Sequence, residues 1–140
     1  MIEAGFSTCS DNRKVILLVE DELIIRRTIA LFLRRLGIEI IEASNGIEAL
    51  KLWKEHQERI ALLFTDLEMP EGLTGLDLAQ RFLIDKPNLK VVVSSGHDIE
   101  SQMGSEEYQK YQKCHQNIIF LLKPCHPNTI IKVLREALNF

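Results

Sequence analysis

The sequence predicts an α/β fold, with a parallel sheet buried between two layers of helices. Three observations carry that reading. Apolar runs and segments of helical period alternate along the chain without a break in composition, the pattern of repeated strand–helix units. Val15–Val19, Ala61–Phe64, Val91–Val93 and Ile118–Leu122 are apolar at every position, as strands covered on both faces are. Each run then ends in polar functional groups: Glu20-Asp21, Asp66 after Thr65, Ser94-Ser95, and Lys123. In a parallel sheet all carboxyl ends lie along one edge, and open α/β sheets bind their ligands there. Side chains scattered over more than a hundred residues should therefore converge.

The first strand leads into a helix from about Leu23 to Leu36. Ile25, Ile29, Phe32, Leu33 and Leu36 form its apolar face, and Gly37 is its stop. The second strand is Ile38–Ala43. Ser44 or Asn45 caps the next helix, which runs to about His56 and turns Ile47, Leu50 and Trp53 inward. The third strand ends at Asp66. A loop with Pro70, Gly72 and Gly75 opens a helix around Leu76–Ile84, and Pro87-Asn88 turns the chain into the fourth strand. Residues 97–117 are polar and are expected to hold a fourth helix with an irregular extension. After the fifth strand the last helix begins near Pro127, a residue suited to a first turn. It carries Ile130, Ile131, Leu134, Ala137 and Leu138. The order is that of five strand–helix units with right-handed crossovers.

The bulk properties narrow the functional classes. At 140 residues, 46% hydrophobic and 26% charged, the chain suits one soluble domain with one sizeable core. A formal net charge of −3 and the lack of a long basic run speak against nucleic acid as a direct partner. Arg26-Arg27 and Arg34-Arg35 read as a solvated helix face. No apolar stretch approaches the length of a membrane span, and residues 1–13 lack the apolar core of a signal peptide, so they read as a flexible tail. Cys9, Cys114 and Cys125 are odd in number and form no CxxC. That suits free thiols in a reducing cytoplasm. Cys114-His115 and Cys125-His126 do not have the spacing of familiar zinc ligands.

The strand-end groups have a specific chemistry. Glu20, Asp21 and Asp66 placed together would repel and raise one another's pKa. A hard divalent cation such as Mg²⁺ relieves that repulsion, since it takes carboxylate and carbonyl oxygens. Lys123 adds a fixed positive charge, and Ser95 a hydroxyl. A strand-end carboxylate such as Asp66 can attack phosphorus and form an acyl phosphate. The bland readings are a loop-closing Asp66, and Asp21 and Glu22 sitting at a helix N-terminus, where acidic groups are favoured.

In combination these motifs resemble the receiver domain of two-component response regulators. The resemblance covers Lys14 to Phe140, and so sets the domain at 14–140. It rests on the acidic pair after strand one, Asp66-Leu-Glu-Met-Pro70 after strand three, Ser95-Gly96 after strand four and Lys123-Pro124 after strand five. It implies a (βα)5 flavodoxin-like three-layer sandwich with a parallel five-stranded sheet of order 2-1-3-4-5. It implies that Asp66 is the phosphoacceptor, served by a histidine kinase or histidine phosphotransfer protein. Glu20, Asp21, Asp66 and the backbone carbonyl of Glu68 then hold Mg²⁺. Lys123 meets a phosphoryl oxygen and precedes a cis proline. Ser95 is the switch hydroxyl, with Ser94 its rival, and Phe120 takes the aromatic switch position. Output to a downstream protein or domain then passes through the face of the fourth helix, fifth strand and fifth helix, through which a homodimer is a further implication. Such a module is a regulatory phosphoacceptor, not an enzyme.

Two departures stand out. The loop Met69–Gly75 is one residue longer than in chemotaxis-type receivers and resembles the version at the C-termini of hybrid sensor kinases. The stretch from Ser95 to Lys123 is also longer than usual. With no output domain after the last helix, a stand-alone receiver or a hybrid-kinase fragment is expected. Two other readings compete. A haloacid-dehalogenase-type aspartyl-phosphate hydrolase normally needs a second aspartate two residues on, where this chain has Glu68. A degenerate receiver would bind partners without being phosphorylated, yet the acidic pair, Asp66 and Lys123 are all intact.

Overall fold

The computed structural model describes residues 14–69, 72–96, 104, 106 and 118–139. Its elements are β1 (Val15–Val19), α1 (Leu23–Arg35), β2 (Glu39–Ala43), α2 (Gly46–His56), β3 (Ile60–Asp66), α3 (Gly75–Asp85), β4 (Lys90–Ser95), β5 (Ile118–Leu122) and α4 (Pro127–Leu138). The expected tail, the fourth helix of the sequence reading and residues Pro70 and Glu71 lie outside the described residues. The strands form one sheet in the order β2-β1-β3-β4-β5, and every neighbouring pair is parallel. This is the expected flavodoxin-like order.

Local chemistry sets the helix boundaries where the sequence placed them. Asn45 accepts from the Glu48 N–H at 2.7 Å, while the Glu48 carboxylate accepts from the Ser44 N–H at 2.9 Å. Thr74 and Asp77 make the reciprocal pair at the start of α3. Pro127 opens α4, and His126 Nδ1 accepts from the Asn128 N–H. Gly37, at φ +85°, ends α1 in the left-handed region that glycine adopts without strain.

The core has two halves, one on each face of the sheet. On one face Leu17, Leu63, Val91 and Val93 meet Trp53 of α2 and Leu78 and Phe82 of α3. On the other, Ile16, Leu18, Phe64 and Val92 meet Ala30 and Leu33 of α1 and Ile130 and Leu134 of α4. Two helix faces differ from expectation. α2 turns Gly46, Ala49 and Trp53 to the sheet, and Ile47 is 63% exposed. In α1, Ala30 and Leu33 are buried while Phe32 and Leu36 are exposed. In both, small residues let the helix backbone come close to the sheet, and the stripe rotates to use them. Larger apolar residues at its margin are left at the surface.

The ladder continues past the formal strand ends at the carboxyl edge. Glu20 N–H donates to the Ala43 carbonyl at 3.1 Å, Leu67 N–H to Ser94 at 2.7 Å, and Lys123 N–H to Ser95 at 2.6 Å. Those bonds tie the backbone at each of these strand ends to the neighbouring strand.

Trp53 is 2% exposed, stacks on Phe82 with ring centroids 4.2 Å apart, and donates its indole N–H to Asp85 at 2.9 Å. Trp53→Ala is expected to destabilise the domain by about 3–5 kcal/mol. Urea unfolding checks this as a lower midpoint at unchanged slope.

Candidate functional site

Glu20, Asp21 and Asp66 do converge. Each offers a carboxylate oxygen within 4.8 Å of the others. The Lys123 ammonium lies between two of them, 2.8 Å from Glu20 Oε1 and 3.3 Å from Asp66 Oδ2. The pairing with Glu20 is the shorter one, and no local pattern in the sequence signals it. Glu20 is almost wholly buried, Asp66 nearly so, and Asp21 is exposed. The second Glu20 oxygen accepts from the Glu22 N–H at 3.2 Å. The Lys123-Pro124 bond is cis.

The electrostatics follow from burial. Loss of water raises the Glu20 carboxyl above the ordinary range, and the Asp66 charge pushes the same way, against the Lys123 and Glu22 hydrogen bonds. Asp66 is raised by burial first and by Asp21 in addition, against the pull of Lys123 and a backbone hydrogen bond from Glu68. Burial depresses the Lys123 ammonium, but its bonds to Glu20 and Asp66 outweigh that and leave it raised. Three carboxylates share one ammonium, so the cluster carries excess negative charge. An all-oxygen donor set with that excess fits a hard divalent cation.

The backbone of Asp66 is tightly enclosed. Thr65 Oγ1 donates to its carbonyl at 2.9 Å, and Gly75 N–H donates to the Leu67 carbonyl at 2.8 Å. A Cβ on Gly75 would run into the Asp66 carbonyl oxygen and lie 2.9 Å from Thr65 Cγ2. Sequence reasoning saw Gly75 only as a loop glycine. No local pattern marks the close approach, which depends on the Asp66 carbonyl and Thr65 side chain of β3.

Ser94 and Ser95 part company on opposite faces of the sheet. Ser94 pairs with Asp66 in register and lines the face covered by α1 and α4. Ser95 is fully buried, one residue nearer the carboxyl edge. Strand alternation sets it on the side of Val93, where Phe120 also packs. Ser95 and Phe120 thus share a face.

The arginine pairs are not a uniformly solvated face. Arg27 is 70% exposed, but Arg26 is only 12% exposed. Arg26, Arg27 and Arg34 all pair with Glu42 of β2, at 3.2, 3.4 and 3.0 Å. Beside the charged cluster, α1 and α4 enclose an apolar groove of about 340 Å³. Ile24, Ile29, Phe32, Ile130 and Ile131 line it, together with Lys123 and Pro124.

Residues 16–135 match the model of the response regulator receiver domain, and the chain belongs to that family. Among curated relatives, the uncharacterized transcriptional regulatory protein YesN of Bacillus subtilis is 34% identical over 126 residues, 88% of this chain. The autoinducer 1 sensor kinase/phosphatase LuxN of Vibrio campbellii is 28% identical over 124 residues, 89% of this chain. The matched stretch is only 32% of YesN and 13% of LuxN. Among solved structures, the receiver domain from hybrid histidine kinase CckA superposes with a TM-score of 0.72 at 30% identity, covering 89% of this chain and 98% of that one. This is a receiver domain of two-component signalling. Among the described residues no helix is long and apolar enough to cross a membrane.

Two predictions arise from this geometry. Gly75→Ala is expected to destabilise the fold by about 1–3 kcal/mol, since the nearest atom it meets, the Asp66 carbonyl oxygen, is backbone and cannot rotate away; denaturant unfolding checks it. The second concerns pH. A carboxyl whose folded-state pKa is raised holds its proton more tightly in the folded chain, so it stabilises the fold as pH falls through that value and costs stability above it. Asp66→Asn removes one such charge and leaves Lys123 bonded to Glu20. Its melting temperature is expected to exceed that of wild type near pH 7, with the gap narrowing towards pH ~4, the ordinary carboxyl range. A lower melting temperature for the variant near neutrality would contradict this.

Proposed function

We propose that the chain is a phosphoacceptor that takes a phosphoryl group onto Asp66 from a histidine kinase or histidine phosphotransfer protein. The observation that carries this reading is the ammonium of Lys123 held between Glu20 and Asp66, with Asp21 completing the acidic cluster. A merely loop-closing aspartate has no use for that company. The Asp66 carboxylate oxygen attacks phosphorus as the phosphorus–nitrogen bond of the donor phosphohistidine breaks, which leaves an acyl phosphate and a histidine that takes up a proton. Lys123 meets the charge on a phosphoryl oxygen. Glu20, Asp21, Asp66 and the Glu68 carbonyl would hold Mg²⁺. When bound, the cation offsets their charge and that of the incoming group.

Ser95 is the hydroxyl that the new phosphoryl group would recruit, and Phe120 lies on the same face of β5. Their movement biases a pre-existing equilibrium of the output surface towards its active form. The groove between α1 and α4 supports the partner assignment. Lys123, beside the acceptor, is among its lining residues, and its walls are largely aliphatic and aromatic, suited to an apolar helix face of a donor protein. The residue set belongs to regulation, not turnover: one nucleophile, with a glutamate where a hydrolase of the dehalogenase type carries its second aspartate. A cytoplasmic setting suits such a donor.

The test is incubation with a small-molecule phosphodonor and Mg²⁺, followed by intact mass. A gain of one phosphate that depends on Mg²⁺ and is lost in Asp66→Asn is expected. Phosphate release with rapid turnover would favour the hydrolase. No modification of a folded wild-type chain would favour a receiver that acts only as a binding module.

A further inference from the structure

We propose that Arg26 is a positioning residue for Glu20-Asp21, acting through the peptide that joins them. This rests on reading that pair as part of a divalent-cation site. Arg26 Nη1 donates to the Glu20 carbonyl at 2.9 Å, while its Nε pairs with Glu42 at 3.2 Å. The carbonyl of Glu20 belongs to the planar unit that contains the Asp21 N–H and leads to the Asp21 Cα. A donor that holds this carbonyl therefore sets the rotation of the whole peptide. With it is set the direction in which the Asp21 carboxylate leaves the chain relative to that of Glu20.

The rest of Glu20 is already tethered. Its N–H donates to Ala43, and its carboxylate takes the Glu22 N–H and the Lys123 ammonium. Arg26 adds the constraint that these do not impose, on the peptide plane beyond Cα. The arginine is itself anchored. Glu42 is also paired to Arg34, which in turn holds the Ile40 carbonyl at 3.0 Å. Burial of all but 12% of the Arg26 side chain keeps water from competing for the carbonyl. The planar fork of a guanidinium suits a role with two partners in fixed directions, which a lysine ammonium fills less well.

Wild type, Arg26→Met, Arg26→Lys and Glu42→Gln are titrated with Mg²⁺ by calorimetry, and each is melted without it. Contacts that orient metal ligands from outside are worth about 10–100-fold in affinity. Arg26→Met is expected to weaken Mg²⁺ binding about tenfold or more, and Arg26→Lys to recover part of the loss. Glu42→Gln weakens it in the same direction but less, because the arginine keeps the carbonyl and loses its anchor. An Arg26→Met chain that melts earlier yet binds Mg²⁺ like wild type overturns the proposal. If that variant does not fold, wild-type affinity in both Arg26→Lys and Glu42→Gln overturns it. A wild type that binds no Mg²⁺ overturns the cation-site reading and this inference with it. That result is distinct from the others, in which wild type binds.

Discussion

Three carboxylates around one ammonium, at the edge of a buried parallel sheet, set the terms for this domain. Glu20 and Asp66 sit where water is largely excluded, and Lys123 reaches both. In such surroundings a charge without partners is expensive, and one cation cannot neutralise three anions. The cluster is thus held in a state that a divalent cation or a change of covalent charge would alter sharply. A regulatory module needs such a state. The same electrostatics that make the site costly make it responsive.

A site of that kind persists only if the backbone under it does not yield. The sheet supplies this by extending its ladder one residue past each of three strand ends, so that Glu20, Leu67 and Lys123 are bonded to the neighbouring strand. Around Asp66 the constraint is steric as well, since Gly75 packs directly on its carbonyl. Around Glu20 it is polar, with Arg26 carrying the load to Glu42 and β2. Stiffness at the edge is therefore built from hydrogen bonds, close contact and an ion network in different places.

The two faces of the sheet divide the labour. The face of α1 and α4 carries the groove that Lys123 helps to line, with large apolar side chains left at the surface. The opposite face holds Ser95 and Phe120 against the core. The division follows from strand alternation, because β4 and β5 present alternate residues to each face. The single-residue offset between Ser94 and Ser95 sets their side chains on opposite faces.

Much of this was legible in one dimension. Continuous apolar runs marked the strands, caps such as Asn45 and Thr74 marked helix starts, and polar groups at strand ends named Glu20, Asp21, Asp66, Ser95 and Lys123. These are local signals, because capping, side-chain alternation and the apolar character of a run depend on neighbours a few residues away. Other features depended on distances that no local pattern contains. That Lys123 sits closer to Glu20 than to Asp66 follows from the spacing of strand ends brought together from 103 residues apart. That Ile47 and Phe32 stay outside follows from how closely Ala49 and Ala30 let their helices approach the sheet. That Arg26 turns inward, and that Gly75 must lack a side chain, follow from atoms contributed by other elements. The sequence by itself determined which groups would stand at the carboxyl edge. Only the packing of helices on the sheet decided which of them touch, because contact is set by three-dimensional separation and not by period.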